Sequence, residues 1–305
     1  MSVAPNRTTR SRKCANMVDA MNYGEFEEID VDRLVWDIPY RERIKNDIEG
    51  RKAFNRVKDD PDVQSEVDIS LSFATAFQPI VDLEQCRIFA YEALVRDQNG
   101  ESVGHFFEIL ENDERYQFDH MCRLQAIKDA VRLNLDTKLS LNFLPNSVGM
   151  ANCSLERTLA FARRVGFPTE QLIFEISEKE GHKDLDFFSA YIDSFAKHVR
   201  MAIDDFGQGY SGLALLAGVQ PHMVKLDMAL VRGIHQDKKR QAILQAIVDL
   251  GRRLDIDVIA EGVESRDEVQ ALLSLGITLM QGFYFAMPAV GHLPKVNFGK
   301  LRRCG

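Results

Sequence analysis

From residue 73 onward the chain repeats one pattern: a short apolar run, then a longer segment in which apolar residues recur every three to four positions. The runs fall at 73–81, 88–95, 139–143, 172–176, 199–203, 223–226, 258–260 and 279–285. Short apolar runs rich in Val, Ile and Phe predict buried strands. Helical spacing appears between most of them, at 118–133 (Met121, Leu124, Ile127, Val131), 155–165, 185–199, 240–254 and 268–275. Strands alternating with helices in this way predict a (β/α)8 barrel of the TIM type rather than an open doubly wound sheet. No repeat of solenoid period is present.

Residues 1–68 lack this pattern. The first 13 read as a disordered leader carrying Arg7, Arg10, Arg12 and Lys13, and residues 24–40 are acidic with a small apolar cluster at 34–38. Spacing of Ile44, Ile48, Phe54 and Val57 predicts a helix over 41–58, ended by Asp59-Asp60-Pro61-Asp62. We therefore expect an extension or linker over 1–68, a barrel over 69–295 and a tail over 296–305. The extension is open between a partly ordered linker and a signalling or dimerising helix.

The polar residues where each apolar run gives out form a set: Glu92, Asn142, Glu175, Asp204 with Asp205, Lys225 with Asp227, Glu261 and Gln281. In a barrel the carboxyl ends of the strands converge on one face, where chemistry resides. Adjacent carboxylates such as Asp204 and Asp205 are costly to hold together unless a cation neutralises them. Hard oxygen donors without histidine or thiol favour Mg2+ or Mn2+ over zinc. The pattern thus points to a metal-dependent site acting on a phosphorylated compound.

The same residues carry a family resemblance. FQPIVDLEQCRIFAYEALVR contains Glu92-Ala93-Leu94 and Arg96; LSLNFLP contains Asn142; FEISE contains Glu175 and Glu178. DDFGQGYSGL contains Asp204 and Asp205, KLD contains Lys225 and Asp227, AEGVE contains Glu261 and Glu264, and QGFYFAMP contains Gln281. Over 76–288 the chain resembles the EAL-domain cyclic-di-GMP phosphodiesterases of bacteria, most closely the subgroup found with BLUF photoreceptors. The resemblance implies a barrel with an antiparallel first strand, and hydrolysis of cyclic di-GMP to linear pGpG with two divalent ions. It implies Glu92, Asn142, Glu175, Asp204, Asp205 and Glu261 as ion ligands, Lys225 as the group that positions the attacking water, and Gln281 as an organiser of water. Arg96 and Leu94 would contact substrate, and Glu178 would hold the 206–213 loop. Asp227 and Glu264 are open between substrate contact and support behind the site. A homodimer through the face near 206–218 is also implied. Leu144, Gln208 and Gly212 depart from the commonest motif pattern without removing a ligand.

Composition narrows the partners. A net charge of −8 without a basic block argues against a nucleic-acid polymer, but not against a small anion bound through divalent ions. Five scattered cysteines with no CxxC pair argue against a disulfide framework, and no run spans a membrane, so a cytoplasmic protein is expected. Gly207-x-Gly209-x-x-Gly212 matches a dinucleotide fingerprint, but Asp204 and Asp205 would repel a pyrophosphate there. A second functional reading is a catalytically quiet module that binds cyclic di-GMP or regulates a partner.

Overall fold

The computed structural model describes residues 73–299 apart from short stretches at 98–101, 104–106, 108–109, 149–154, 181–184, 196–198 and 210–211. The expected 1–68 extension, with its 41–58 helix, lies outside the described residues. Each apolar run becomes a strand: β1 (Ala74–Asp82), β2 (Arg87–Arg96), β3 (Lys138–Asn142), β4 (Leu172–Ser177), β5 (Arg200–Phe206), β6 (Met223–Leu226), β7 (Asp257–Ala260) and β8 (Leu279–Gln281). Neighbours from β2 to β8 pair in parallel, and β1 closes the ring by pairing antiparallel with both β2 and β8. A two-residue strand, β9 (Ala289–Val290), adds to the other half of β1. This is the closed barrel that the alternation predicts, with its first strand reversed.

The helices are α1 (Asn112–Arg132), α2 (Leu155–Val165), α3 (Leu185–Phe195), α4 (Gly212–Val219), α5 (Met228–Val231), α6 (Lys238–Leu254) and α7 (Arg266–Ser274). Their starts are written in the sequence. Asp237 accepts the Lys239 and Arg240 N–H groups ahead of α6, and Ser265 with Glu268 forms a capping box ahead of α7. α1 begins six residues before its expected start, because Glu111 and Glu114 form another capping box upstream of the first apolar position.

The expected strand at 279–285 stops at Gln281. Gly282 has φ +157°, and a Cβ there would lie 2.1 Å from the Val263 carbonyl oxygen. That close backbone approach joins the Val263 N–H to the Gln281 carbonyl and the Tyr284 N–H to the Val263 carbonyl, so the chain turns instead of extending.

Among the described residues, two apolar layers of the barrel and a small cluster of Val103, Phe118 and Cys122 hold the fold. The larger lies between strands and helices and includes Phe77, Leu139, Phe174, Phe188 and Leu244. The smaller consists of Ile80, Phe89, Ala90, Ile173, Ala202, Met223, Ile259 and Leu279, contributed by seven strands. Side chains two apart on a strand share a face. Most members of this inner layer therefore point the same way as the residue two positions toward the site: Ala90 with Glu92, Ile173 with Glu175, Ala202 with Asp204, Met223 with Lys225, Ile259 with Glu261 and Leu279 with Gln281. The barrel's interior packing and its polar rim are consecutive rows of one pattern.

Candidate active site at the carboxyl ends of the strands

Lys225 is the centre of that rim, with 1% of its surface exposed. Its Nζ lies 2.7 Å from Glu261 Oε1, 2.9 Å from Glu175 Oε1, 3.1 Å from Asp204 Oδ1 and 3.5 Å from Glu92 Oε2. Burial alone would lower the lysine's pKa, but Asp204, Glu175, Glu261 and Glu92 outweigh it and hold the ammonium well above its ordinary value. The acids outnumber the base, and two of them respond. Burial pushes Glu175 up to about 8 against the opposing pull of Lys225, and burial with Asp204 raises Glu261 well above the carboxylate range.

The remaining bonds fix the cluster's edges. Ser140 Oγ donates to Glu175 Oε1 at 2.6 Å. Gln281 Nε2 donates to Glu92 Oε2 at 2.6 Å and to Gln78 Oε1 at 3.0 Å, and Gln78 Nε2 donates to the Ala286 carbonyl at 3.1 Å. Gln78 and Ser140 are absent from the expected set. Their signal was available: Gln78 sits two residues from interior Ile80 on the reversed strand, and Ser140 two before Asn142.

Asp204 and Asp205 are adjacent, so a regular strand would point them to opposite faces. Asp205 instead adopts φ +55°, and the β5–β6 pairing skips from Ile203 to Phe206. Left-handed backbone at a non-glycine residue costs energy and marks a bulge. It brings the second carboxylate beside the first. Burial and then Asp204 raise the Asp205 pKa, opposed by Lys179. Ser177 Oγ donates to Asp205 Oδ2 at 3.4 Å.

A cavity of about 470 Å³ opens beside the cluster, with Leu94, Arg96, Asn142, Asp205, Lys179 and Arg115 in its wall. Its size suits a small-molecule ligand. Arg96 donates from Nη1 to the Val95 carbonyl at 2.8 Å; burial lowers its pKa and Glu92 opposes the shift. Arg115 pairs with Glu180, and neither was singled out in the sequence.

Glu178 is buried, and its carboxylate accepts the N–H groups of Gly207 (2.8 Å), Gly209 (3.1 Å) and Gly212 (2.7 Å), tying the loop after β5 to the end of β4. A Cβ at Gly212 would come within 2.7 Å of the Phe206 ring and 2.9 Å of Glu178 Oε1. The glycine there belongs with this tight loop. Asp227 caps α5 through the Ala229 N–H at 2.8 Å and accepts from the Gln208 amide, while lying close enough to Asp205 to raise its pKa. Glu264 is not brought into the cluster. Its carboxylate pairs with Arg232, and both side chains are largely exposed.

Among the described residues no three His, Cys, Asp or Glu side chains converge on one point as ligands of an ion would; the Lys225 ammonium lies between them. The donor chemistry nevertheless fits hard divalent cations. The set is all oxygen, its acids exceed its one base, and Glu175 Oε2 and Gln281 Oε1 are buried without a hydrogen-bond partner.

The family model described as EAL domain matches residues 64–288. A standalone EAL protein from Vibrio cholerae O395, solved bound to c-di-GMP, is 45% identical with a TM-score of 0.70, over 75% of this chain and 98% of that one. Klebsiella pneumoniae BlrP1, solved with manganese and cyclic di-GMP, is 34% identical with a TM-score of 0.69, over 73% of this chain and 58% of that one. The blue light- and temperature-regulated antirepressor BluF of Escherichia coli strain K12 is 33% identical over 72% of this chain and 55% of its own length. The chain spans between 23% and 55% of four curated relatives it matches, two of them named as probable cyclic di-GMP phosphodiesterases.

Proposed function

The chain belongs to the EAL-domain family, and from that premise we propose that it is a cyclic-di-GMP phosphodiesterase that cleaves one phosphodiester to give linear pGpG. Water adds to one phosphorus, a P–O ester bond breaks, and the product opens. In this reading the catalytic unit is the barrel over 69–295, preceded by an extension or linker over 1–68 through which a regulatory partner could act. One observation carries the reading: a fully buried ammonium held among four carboxylates beside a cavity edged by Arg96.

Glu92, Asn142, Glu175, Asp204, Asp205 and Glu261 would hold two divalent ions, Mg2+ or Mn2+. Bound there, such ions supply charge neutralisation and a water acidic enough to react near neutral pH. Lys225 is held charged, so it is not a base. It orients the attacking water and donates to negative charge as that charge develops. The Arg96 guanidinium suits a phosphate oxygen pair, with Leu94 beside it. Gln281, fixed by Glu92 and Gln78, orders water at the cluster's edge, and Glu178 keeps the 206–213 loop in register. Asp227 supports that loop through Gln208.

Among the described residues no helix is long and apolar enough to cross a membrane. Together with the scattered cysteines this supports a cytoplasmic site of action. A homodimer is our reading of the 206–218 face, where Leu213 is 69% exposed.

The relative named an antirepressor motivates the second reading, a quiet module that binds cyclic di-GMP without cleaving it. Purified protein with cyclic di-GMP and Mg2+, Mn2+ or chelator separates the two. We expect pGpG with either ion, none with chelator, and none from Glu92→Ala. Binding by the parent without turnover in any ion would favour the quiet module, and turnover by Glu92→Ala at the parent rate would refute the site.

A further inference from the structure

In the wall of the same cavity, α1 carries a buried ion pair to which the proposed reaction assigns no role. Asp119 and Arg123 stand one helical turn apart with 3% and 2% exposure, joined through Arg123 Nη1. Burying two charges carries a desolvation penalty that their attraction offsets only when further hydrogen bonds complete the pair. Those further contacts go to three consecutive residues. Arg123 Nη1 reaches the Asn142 carbonyl at 3.5 Å, its guanidinium lies over the Phe143 ring at 5.1 Å, and the Asp119 carboxylate accepts the Leu144 N–H.

The other edge of the guanidinium is fixed as well. Nε donates to Thr158 Oγ1 on α2 at 3.4 Å, and Nη2 faces His120 Nδ1 at 3.4 Å. Burial, then Arg123 and Arg157, pushes His120 down to about 3, so its ring is neutral and its Nδ1 accepts. A planar fork with five donors makes these contacts at once; an ammonium does not.

The gripped segment needs such a hold. Asn142 is the last residue of β3, exposed at the cavity. After the Phe143 N–H donates to the Glu175 carbonyl at 2.9 Å, the chain leaves the sheet for a single 3-10 turn at Pro145–Ser147. Strand pairing therefore does not set the backbone beyond the Phe143 N–H.

We propose that Asp119 and Arg123 are positioning residues, a clamp on 142–144 that presets the Asn142 side chain toward the divalent-ion site. The proposal rests on the reading of Asn142 as an ion ligand. Partners that orient ligands from behind typically change ion affinity by about 10- to 100-fold when removed.

The test is Mn2+ binding without substrate, followed by the paramagnetic resonance of the free ion. Four proteins are compared: the parent, Asp119→Leu with Arg123→Met (which leaves no unpaired buried charge), Asn142→Ala, and all three substitutions together. The double variant is expected to weaken the Mn2+ Kd about tenfold, and the triple variant to be no weaker than Asn142→Ala alone, since one clamp acts through one ligand. Ile127→Ala, a fully buried apolar truncation on the same helix, is expected to lower Tm and leave the Kd unchanged. A folded double variant with the parent's Kd, full additivity with Asn142→Ala, or an equal loss in Ile127→Ala would overturn the clamp. A parent that binds no Mn2+ would overturn the ion site itself and the clamp with it. Should the double variant not fold, Arg123→Lys keeps the buried pair but loses the fork. The same weakening is expected, and a parent-like Kd there refutes the clamp.

Discussion

At the amino-terminal end of the barrel, Lys138 and Arg200 face Asp257, and all three keep contact with water. At the other end, Glu92, Glu175, Asp204 and Glu261 close on Lys225, which with Glu175 lies out of its reach while Asp204 and Glu261 keep a narrow edge in it. Lys138 lies over the Phe89 ring at 4.0 Å; burial, Arg200 and Arg87 lower its pKa, and Asp257 pulls the other way. Each charge there has an opposite neighbour and a share of solvent, an arrangement that folding alone would keep. An excess of acids at depth around one base is different, because replacing buried ionic groups by apolar ones of similar volume is often neutral or stabilising. Strongly perturbed groups clustered at the carboxyl ends of barrel strands belong to function rather than to stability.

The sharpest way to break that contrast is to neutralise one lysine at each end. Lys225→Met is expected to lower kcat by roughly 100- to 1,000-fold, the effect of removing one preorganised donor. In chelator it should also destabilise the fold by about 3–5 kcal/mol, because buried acids lose their counter-charge. Lys138→Met should leave kcat unchanged and stability within about 1 kcal/mol of the parent. Steady-state kinetics and urea unfolding on both variants measure this. Equal effects at the two ends would erase the distinction.

A second contrast lies in pH dependence. Glu175 is raised to about 8 in the folded protein from an ordinary value of 4.5, so between those pH values the folded state binds more protons than the unfolded. Stability of the chelated protein must then fall as pH rises through that window. Lys225 has the same sign but a different window: its contribution is fully present below 10.5 and is lost only above that value. Urea unfolding in chelator from pH 5 to 8 should therefore show declining stability, by a few kcal/mol at most. Glu175→Gln should flatten the decline. A slope unchanged by that substitution would mean the burial energetics lie elsewhere.

How much of this was legible follows from the same two-residue period. Glu92, Glu175, Asp204, Lys225, Glu261 and Gln281 are visible in sequence because each ends an apolar run, and the fold places each one repeat beyond an interior residue. Asp205 was legible as a residue but not as a geometry: nothing in Asp-Asp-Phe announces φ +55° or the skipped pairing. Gln78 obeys the same period but escapes the strand-end rule, because β1 runs backwards and its site residue precedes the interior one. Asp119 and Arg123 were hidden more deeply, since on a helix of apolar period they read as solvated positions, and only tertiary packing turns them inward. Strand ends on a closed barrel are a local property of sequence, whereas what stands behind them is a property of contacts between elements.

The smallest expected effect tests where the functional end stops. Glu264 follows the AEG segment after β7 and shares a motif with Glu261, yet the two side chains differ in setting: Glu261 is pressed on Lys225, and Glu264 faces Arg232 in solvent. Exposed ion pairs contribute about 0–1 kcal/mol. Removing the carboxylate leaves the Glu264 N–H to Glu268 bond, which carries the local structure, intact. Glu264→Ala should therefore change stability by no more than about 0.5 kcal/mol and kcat/KM by less than twofold. A tenfold rise in KM at unchanged kcat would instead make Glu264 a substrate contact, because loss of binding shared by ground and transition states appears in KM alone. The edge of the site would then extend beyond the buried cluster, onto a surface whose charges are as well solvated as those at the barrel's other end.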